Sequence, residues 1–186
     1  MHLLLFHKNS IFSIGGHDGE NFCAECDLYD VENGVWSRHS ALSEGRYGLG
    51  ACVLSEGTCE YVYCFGGRVC ARVEEVQIER VEVNVKGGVW EIVGLKENQS
   101  FMYPGVYKVI ENRGMAYLFE TKNIYVFDKE KGSLEFECGF KGKNIGNFVS
   151  TMMVYGECIY GFSQFSHIGE YNFKLKKYRA FKLKNK

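Results

Sequence analysis

Ile11-Phe12-Ser13-Ile14 is the stretch on which the fold turns, because its pattern comes back three times: Val62-Tyr63-Cys64-Phe65, Ala116-Tyr117-Leu118-Phe119 and Ile159-Tyr160-Gly161-Phe162. The aromatic second position steps by 51, 54 and 43 residues. Each tetrad is followed by a bulky residue with another seven positions later. These pairs are Tyr29 and Trp36, Val83 and Trp90, Phe127 and Leu134, Tyr171 and Tyr178, and they step by 54, 44 and 44 residues. Two independent markers in the same order four times over identify a repeat protein.

Each unit holds four short strands. An apolar run precedes each tetrad, at residues 3–6, 51–54, 106–110 and 152–155, with a polar or glycine-bearing turn between. The seven-residue interval encloses another turn, as in Asp30-Val31-Glu32-Asn33-Gly34 and Asp128-Lys129-Glu130-Lys131-Gly132, so the last two strands form a hairpin. The connection between the second and third strands is expected to be long in units one and two (residues 17–25 and 68–75) and short in units three and four. Acidic Glu74, Glu75, Glu79 and Glu82 interleave with Val76, Ile78, Val81 and Val83. They read as the solvent side of a strand, with a bulge expected where alternation breaks at Glu79 and Arg80. A four-stranded unit every 45 to 55 residues is the mark of a propeller blade.

Composition agrees. The chain has 186 residues, 15% of them aromatic, with 22 glycines and one proline. Aromatics favour strands and glycines favour turns, so the fold class is all-β with little helix. The expected domain is a single propeller over residues 1–183, in units of about 1–46, 47–100, 101–145 and 146–183, followed by a basic tail at 184–186. A net charge of −1 gives no overall pull toward nucleic acid or a membrane, and neither is expected as a partner. Charge is nevertheless uneven: residues 1–100 carry 15 acids and 8 bases, residues 169–186 carry 1 acid and 7 bases. The basic end reads as a solvated strand face. No leader or membrane-spanning run is evident, so a cytoplasmic chain is expected, with its eight cysteines as reduced thiols.

Ile14-Gly15-Gly16-His17-Asp18-Gly19, with Tyr29-Asp30 and Trp36-Ser37-Arg38, resembles a kelch repeat from end to end. The second unit resembles it from Arg46-Tyr47-Gly48 through Cys64-Phe65-Gly66-Gly67 to Val89-Trp90. In units three and four the phase persists but the signature fades, with Glu120-Thr121 and Ser163-Gln164 in place of the double glycine. The resemblance implies a kelch-type β-propeller of about four four-stranded antiparallel blades, and loops that help build a partner-binding face. Gly15, Gly16, Gly66 and Gly67 let the chain leave the second strand at angles a β-carbon forbids. Tyr29, Trp36 and Trp90 are expected to fill the space between sheets.

Chemistry is sparse. Cys23-Ala24-Glu25-Cys26 has metal-ligand spacing without a second such pair, and no basic residue flanks Cys23 to activate it. No catalytic residue, metal or cofactor is expected. The function expected is non-catalytic protein binding through propeller loops, in a setting such as a ubiquitin-ligase substrate adaptor or an actin-associated protein. The alternative is a small kelch-type enzyme, an isomerase or specifier protein, with its site over the central channel. The residues expected on the binding face are His17, Asp18, Glu20, Asn21, Arg46, Tyr47, Arg68 and Arg72, since loops over a rigid scaffold carry binding and Arg and Tyr anchor interfaces. With four units, the propeller is expected to be incomplete or open and to self-associate through exposed blade faces.

Overall fold

The computed structural model describes residues 2–69, 78–85, 87–95, 108–120, 123–139, 152–163 and 167–182. Among them lie sixteen strands and no helix, arranged as four antiparallel four-stranded sheets with strands in chain order. Unit one is β1 (Leu3–His7), β2 (Ser10–His17), β3 (Phe22–Asp30) and β4 (Val35–Ala41). Unit two is β5 (Gly50–Glu56), β6 (Cys59–Phe65), β7 (Ile78–Glu82) and β8 (Glu91–Val93). Unit three is β9 (Lys108–Asn112), β10 (Met115–Phe119), β11 (Asn123–Asp128) and β12 (Ser133–Gly139). Unit four is β13 (Met152–Tyr155), β14 (Cys158–Ser163), β15 (His167–Asn172) and β16 (Lys177–Lys182).

Local chemistry explains the turns. Every first hairpin puts a residue at positive φ: Lys8 (52°), Gly57 (59°), Arg113 with Gly114 (54° and 78°), and Gly156 (58°). Such left-handed turns follow the natural twist of paired strands. The last hairpin is set by an Asp or Asn directly after the first marker residue. Asp30 Oδ1 accepts from the N–H groups of Glu32 and Asn33, Asp128 Oδ1 from Glu130 and Lys131, and Asn172 Oδ1 from Leu175. These side chains replace the ladder partner and stop the strand.

The marker residues then meet across the hairpin, with Tyr29 opposite Trp36, Phe127 opposite Leu134 and Tyr171 opposite Tyr178. In unit two the ladder closes earlier, at Arg80 opposite Glu91, so Val83 and Trp90 lie just beyond it. Trp90 still reaches the interior.

Three cores lie between successive sheets. Between units one and two, Phe12, Ile14 and Cys26 pack with Val62, Cys64, Val81 and Trp90. Tyr63, Phe65 and Ile78 of unit two meet Ala116, Leu118 and Phe127 of unit three. Tyr117, Phe119 and Ile124 of unit three meet Ile159, Tyr171 and Phe173 of unit four. Each of the buried Val, Leu, Ile and Phe side chains among them stabilises by about 1.5–3 kcal/mol. The units are thus blades of a propeller, each held by its neighbours. Among the described residues no core cluster joins unit four to unit one.

Four expectations need correction. Trp36 is 53% exposed: it faces away from unit two, and no core cluster of the described residues covers that side, so it is not a buried filler. Residues 17–25 are not one long loop. After a bulge between Ile14 and Gly16 the ladder resumes, with Gly16 opposite Cys23 and His17 opposite Phe22, leaving a connection of residues 18–21. No bulge interrupts Glu79 and Arg80, which pair regularly with Cys64 and Tyr63. Nor is Glu79 on the solvent side. It is buried in an ion pair with Arg46, and a charged residue on a buried face is what broke the alternation.

Candidate protein-binding face

The double glycines shape the rim where units one and two meet. Gly15 and Gly16 adopt φ of 53° and 120°, Gly66 and Gly67 of 62° and 98°. A β-carbon on Gly15 would stand 2.7 Å from the Arg46 carbonyl oxygen. The chain connecting the two units can therefore lie directly on the backbone of unit one. Leu42 N–H donates to the Ala24 carbonyl, Arg46 N–H to that of Cys23, and Gly16 N–H to that of Arg46.

This seating carries Tyr47 across the seam. Its ring stacks on Phe22 of unit one, with centroids 5.3 Å apart and planes 2° from parallel. His17 meets both edge-on, 5.2 Å from Phe22 and 5.9 Å from Tyr47. Arg68 pairs with the Tyr47 backbone in an isolated antiparallel bridge, and its guanidinium donates to the Tyr47 hydroxyl at 3.3 Å. All three rings are half-buried and Arg68 is exposed, so the cluster presents aromatic edges and one cation to solvent. Beside it, Asp18 Oδ1 accepts from the N–H groups of Glu20 and Asn21, and these bonds, that of Asn21 foremost, hold the carboxyl below its usual range. Glu20 and Asn21 are exposed on the same turn.

Of the expected binding residues, the structure brings His17, Asp18, Glu20, Asn21, Tyr47 and Arg68 to one rim. Arg72 lies outside the described residues. Arg46 is 2% exposed, donating to Glu79 Oε1 at 2.6 Å, and belongs to the interior. Phe22 was missed by the sequence reading. Its signal was available: a lone aromatic closing the polar run Gly19-Glu20-Asn21, opposite a histidine.

Other constellations carry less. Cys26 is wholly buried, and burial pushes its thiol up to about 12. A cavity of about 340 Å³ opens beside units three and four, lined by Tyr117, Lys131, Glu137, Phe173, Lys174 and Lys176. Its charges largely satisfy one another, with Lys176 on Glu137 at 3.0 Å and Lys131 on Asp128 at 3.3 Å.

Residues 1–39, all of β1 to β3 and most of β4, match the family described as the Kelch motif. No curated protein matches the chain significantly. A kelch motif in the first unit and four four-stranded antiparallel sheets in series support assigning the chain to the kelch-type β-propellers. That motif points to a protein-interaction module in general, and the family is usually non-enzymatic.

Proposed function

We propose that this chain is a non-catalytic module that holds a partner protein on the rim between units one and two. The observation carrying the reading is the Phe22–Tyr47 stack with His17 and Arg68, which joins two blades into one semi-exposed aromatic and cationic surface. Aromatic and arginine side chains held by a rigid scaffold are favoured interface anchors, since little entropy is lost on docking. Asp18, Glu20 and Asn21 supply a polar border. A ubiquitin-ligase substrate and an actin filament are the two partner classes to try first. The unpaired thiols of Cys26, Cys52 and Cys64 suit a reducing, cytoplasmic setting.

The test is quantitative affinity capture from cell lysate with the wild-type chain, Tyr47→Ala, and Arg68→Ala. A binding anchor is worth about 2 kcal/mol, or roughly a 30-fold loss of affinity. Proteins captured by the wild type should disappear with both variants. Retention of the same proteins by both would place the face elsewhere.

A further inference from the structure

Two neighbouring side chains hold the polar turn at the rim. Three successive backbone N–H groups find their acceptors on residues 17 and 18. Gly19 N–H donates to His17 Nδ1 at 3.0 Å, and those of Glu20 and Asn21 donate to Asp18 Oδ1 at 2.8 and 2.7 Å. Asp18 N–H closes the turn on the Asn21 carbonyl at 3.2 Å. An imidazole nitrogen accepts only while it carries no proton, so the Gly19 bond places the ring proton of His17 on Nε2.

A second proton then has one place to go, Nδ1, where two N–H groups would confront each other and the bond would be lost. The ring has no room to turn aside without consequence. It meets Phe22 of β3 edge-on at 5.2 Å and Tyr47 of the connecting segment at 5.9 Å. A ring that stays in place releases the turn, and a ring that reorients disturbs the Phe22–Tyr47 stack. Two charged groups border the cluster. Arg68, on the Tyr47 hydroxyl, brings a cation that opposes the imidazolium. Asp18, next in the chain, attracts it, but the Asn21 and Glu20 N–H groups act on that carboxylate more strongly than the His17 charge does. Across about pH 8 to 5, imidazole is the ordinary side chain that changes charge.

We propose that His17 is a proton-operated latch: its neutral ring closes the 18–21 turn against the aromatic stack, and its protonation opens the turn and lowers the rim's affinity for a partner. The effect on affinity rests on the binding reading above; the latch itself does not. One ordinary hydrogen bond is at stake, so the closed turn should lose about fivefold in weight on protonation.

The experiment is nuclear magnetic resonance of the isotope-labelled full chain, with two variants, from about pH 8 to about pH 5.5. His17→Asn keeps an acceptor near the place of Nδ1 that takes no proton, and His17→Phe keeps a ring and removes the acceptor. The other histidines are common to all three proteins, so the comparison isolates His17. In the wild type the His17 ring should carry its proton on Nε2 at the upper pH, and the Gly19 amide signal should move as the ring titrates. That signal should stay constant in His17→Asn and sit at its low-pH position throughout in His17→Phe. A Gly19 signal that ignores the titration of His17, or a ring protonated on Nδ1 at the upper pH, overturns the latch. In parallel, the proteins captured from lysate are quantified at both pH values. The wild type should hold about fivefold less at the lower pH, and each variant should hold equal amounts at both. The same pH ratio in all three proteins overturns the effect on affinity. Capture of nothing by the wild type at the upper pH overturns the binding reading instead, and the Gly19 signal still decides the latch.

Discussion

Replacing Arg46 by Met should destabilise the protein far more than its place in a connecting segment suggests. Its guanidinium and the Glu79 carboxylate lie 2.6 Å apart, with side chains 2% and 1% exposed. At an effective dielectric constant of about 20, that attraction is about 6 kcal/mol. Desolvating each ion costs several kcal/mol, so the intact pair contributes little net stability. Breaking it is different, because the Met variant leaves a buried carboxylate without its cation, at a cost of about 3–5 kcal/mol. Glu79→Leu takes the carboxylate from the buried arginine and also removes the acceptor for Ser43 N–H at 2.9 Å, adding about 1 kcal/mol. For a chain of this length each kcal/mol shifts Tm by about 2–4 °C, so either variant should melt about 10 °C lower. The double variant should be much closer to wild type than the sum of the singles, with a coupling of at least about 2 kcal/mol in a double-mutant cycle. Thermal unfolding followed by circular dichroism measures all four proteins. Strict additivity, or an Arg46→Met variant within about 1 kcal/mol of wild type, would refute the reasoning.

Three further outcomes are expected. Gly15→Ala should cost appreciably more in denaturant melts than Gly57→Ala. Both force a side chain to positive φ, at about 1–2 kcal/mol, but only the first drives a β-carbon into the Arg46 carbonyl and Leu49, while the second meets open space. Burial pulls the His39 imidazole below its ordinary value of 6.5, against a hydrogen bond with the Val83 backbone. Its neutral form is therefore favoured in the fold, so its contribution is complete above about pH 6.5 and is lost as pH falls below it, where the unfolded chain takes the proton first. A His39→Leu variant should show a flatter stability profile between pH 7 and pH 5 by chemical denaturation. Finally, Cys26, Cys52 and Cys64 are buried, and burial raises all three thiols, so they should resist alkylation until the chain unfolds. Rapid labelling of any of them in the native protein, mapped by peptide mass, would contradict their placement.

The repeat was legible because packing imposes it. Phe12, Tyr63 and Tyr117 recur since each fills the core shared with the unit that follows, and the number and order of strands followed directly. The markers could not reveal which neighbour each side faces, and so Trp36 read as core although it is exposed. Local alternation was equally blind to partners distant in sequence. Glu79 looked like another exposed carboxylate until Arg46, 33 residues away, was seen to reach it. The same arginine looked like a binding anchor for the same reason. Of the rim, the polar turn and Tyr47 were readable from composition, whereas the stacking of Phe22 on Tyr47 depends on the close seating that Gly15 permits.

The seating of residues 42–47 on unit one also determines how the chain can be divided. The connecting segment is bonded backward to Ala24, Cys23 and Gly16, then forward through Tyr47 to Arg68. It is a splice, sharing backbone hydrogen bonds with both blades. A truncation placed between the first two sheets, where sequence boundaries alone would put it, severs that splice. The first blade would lose the segment that covers its glycine bend, and the second would lose the bridge that anchors its opening residues. Any division of the chain that respects the splice therefore keeps the first two blades together.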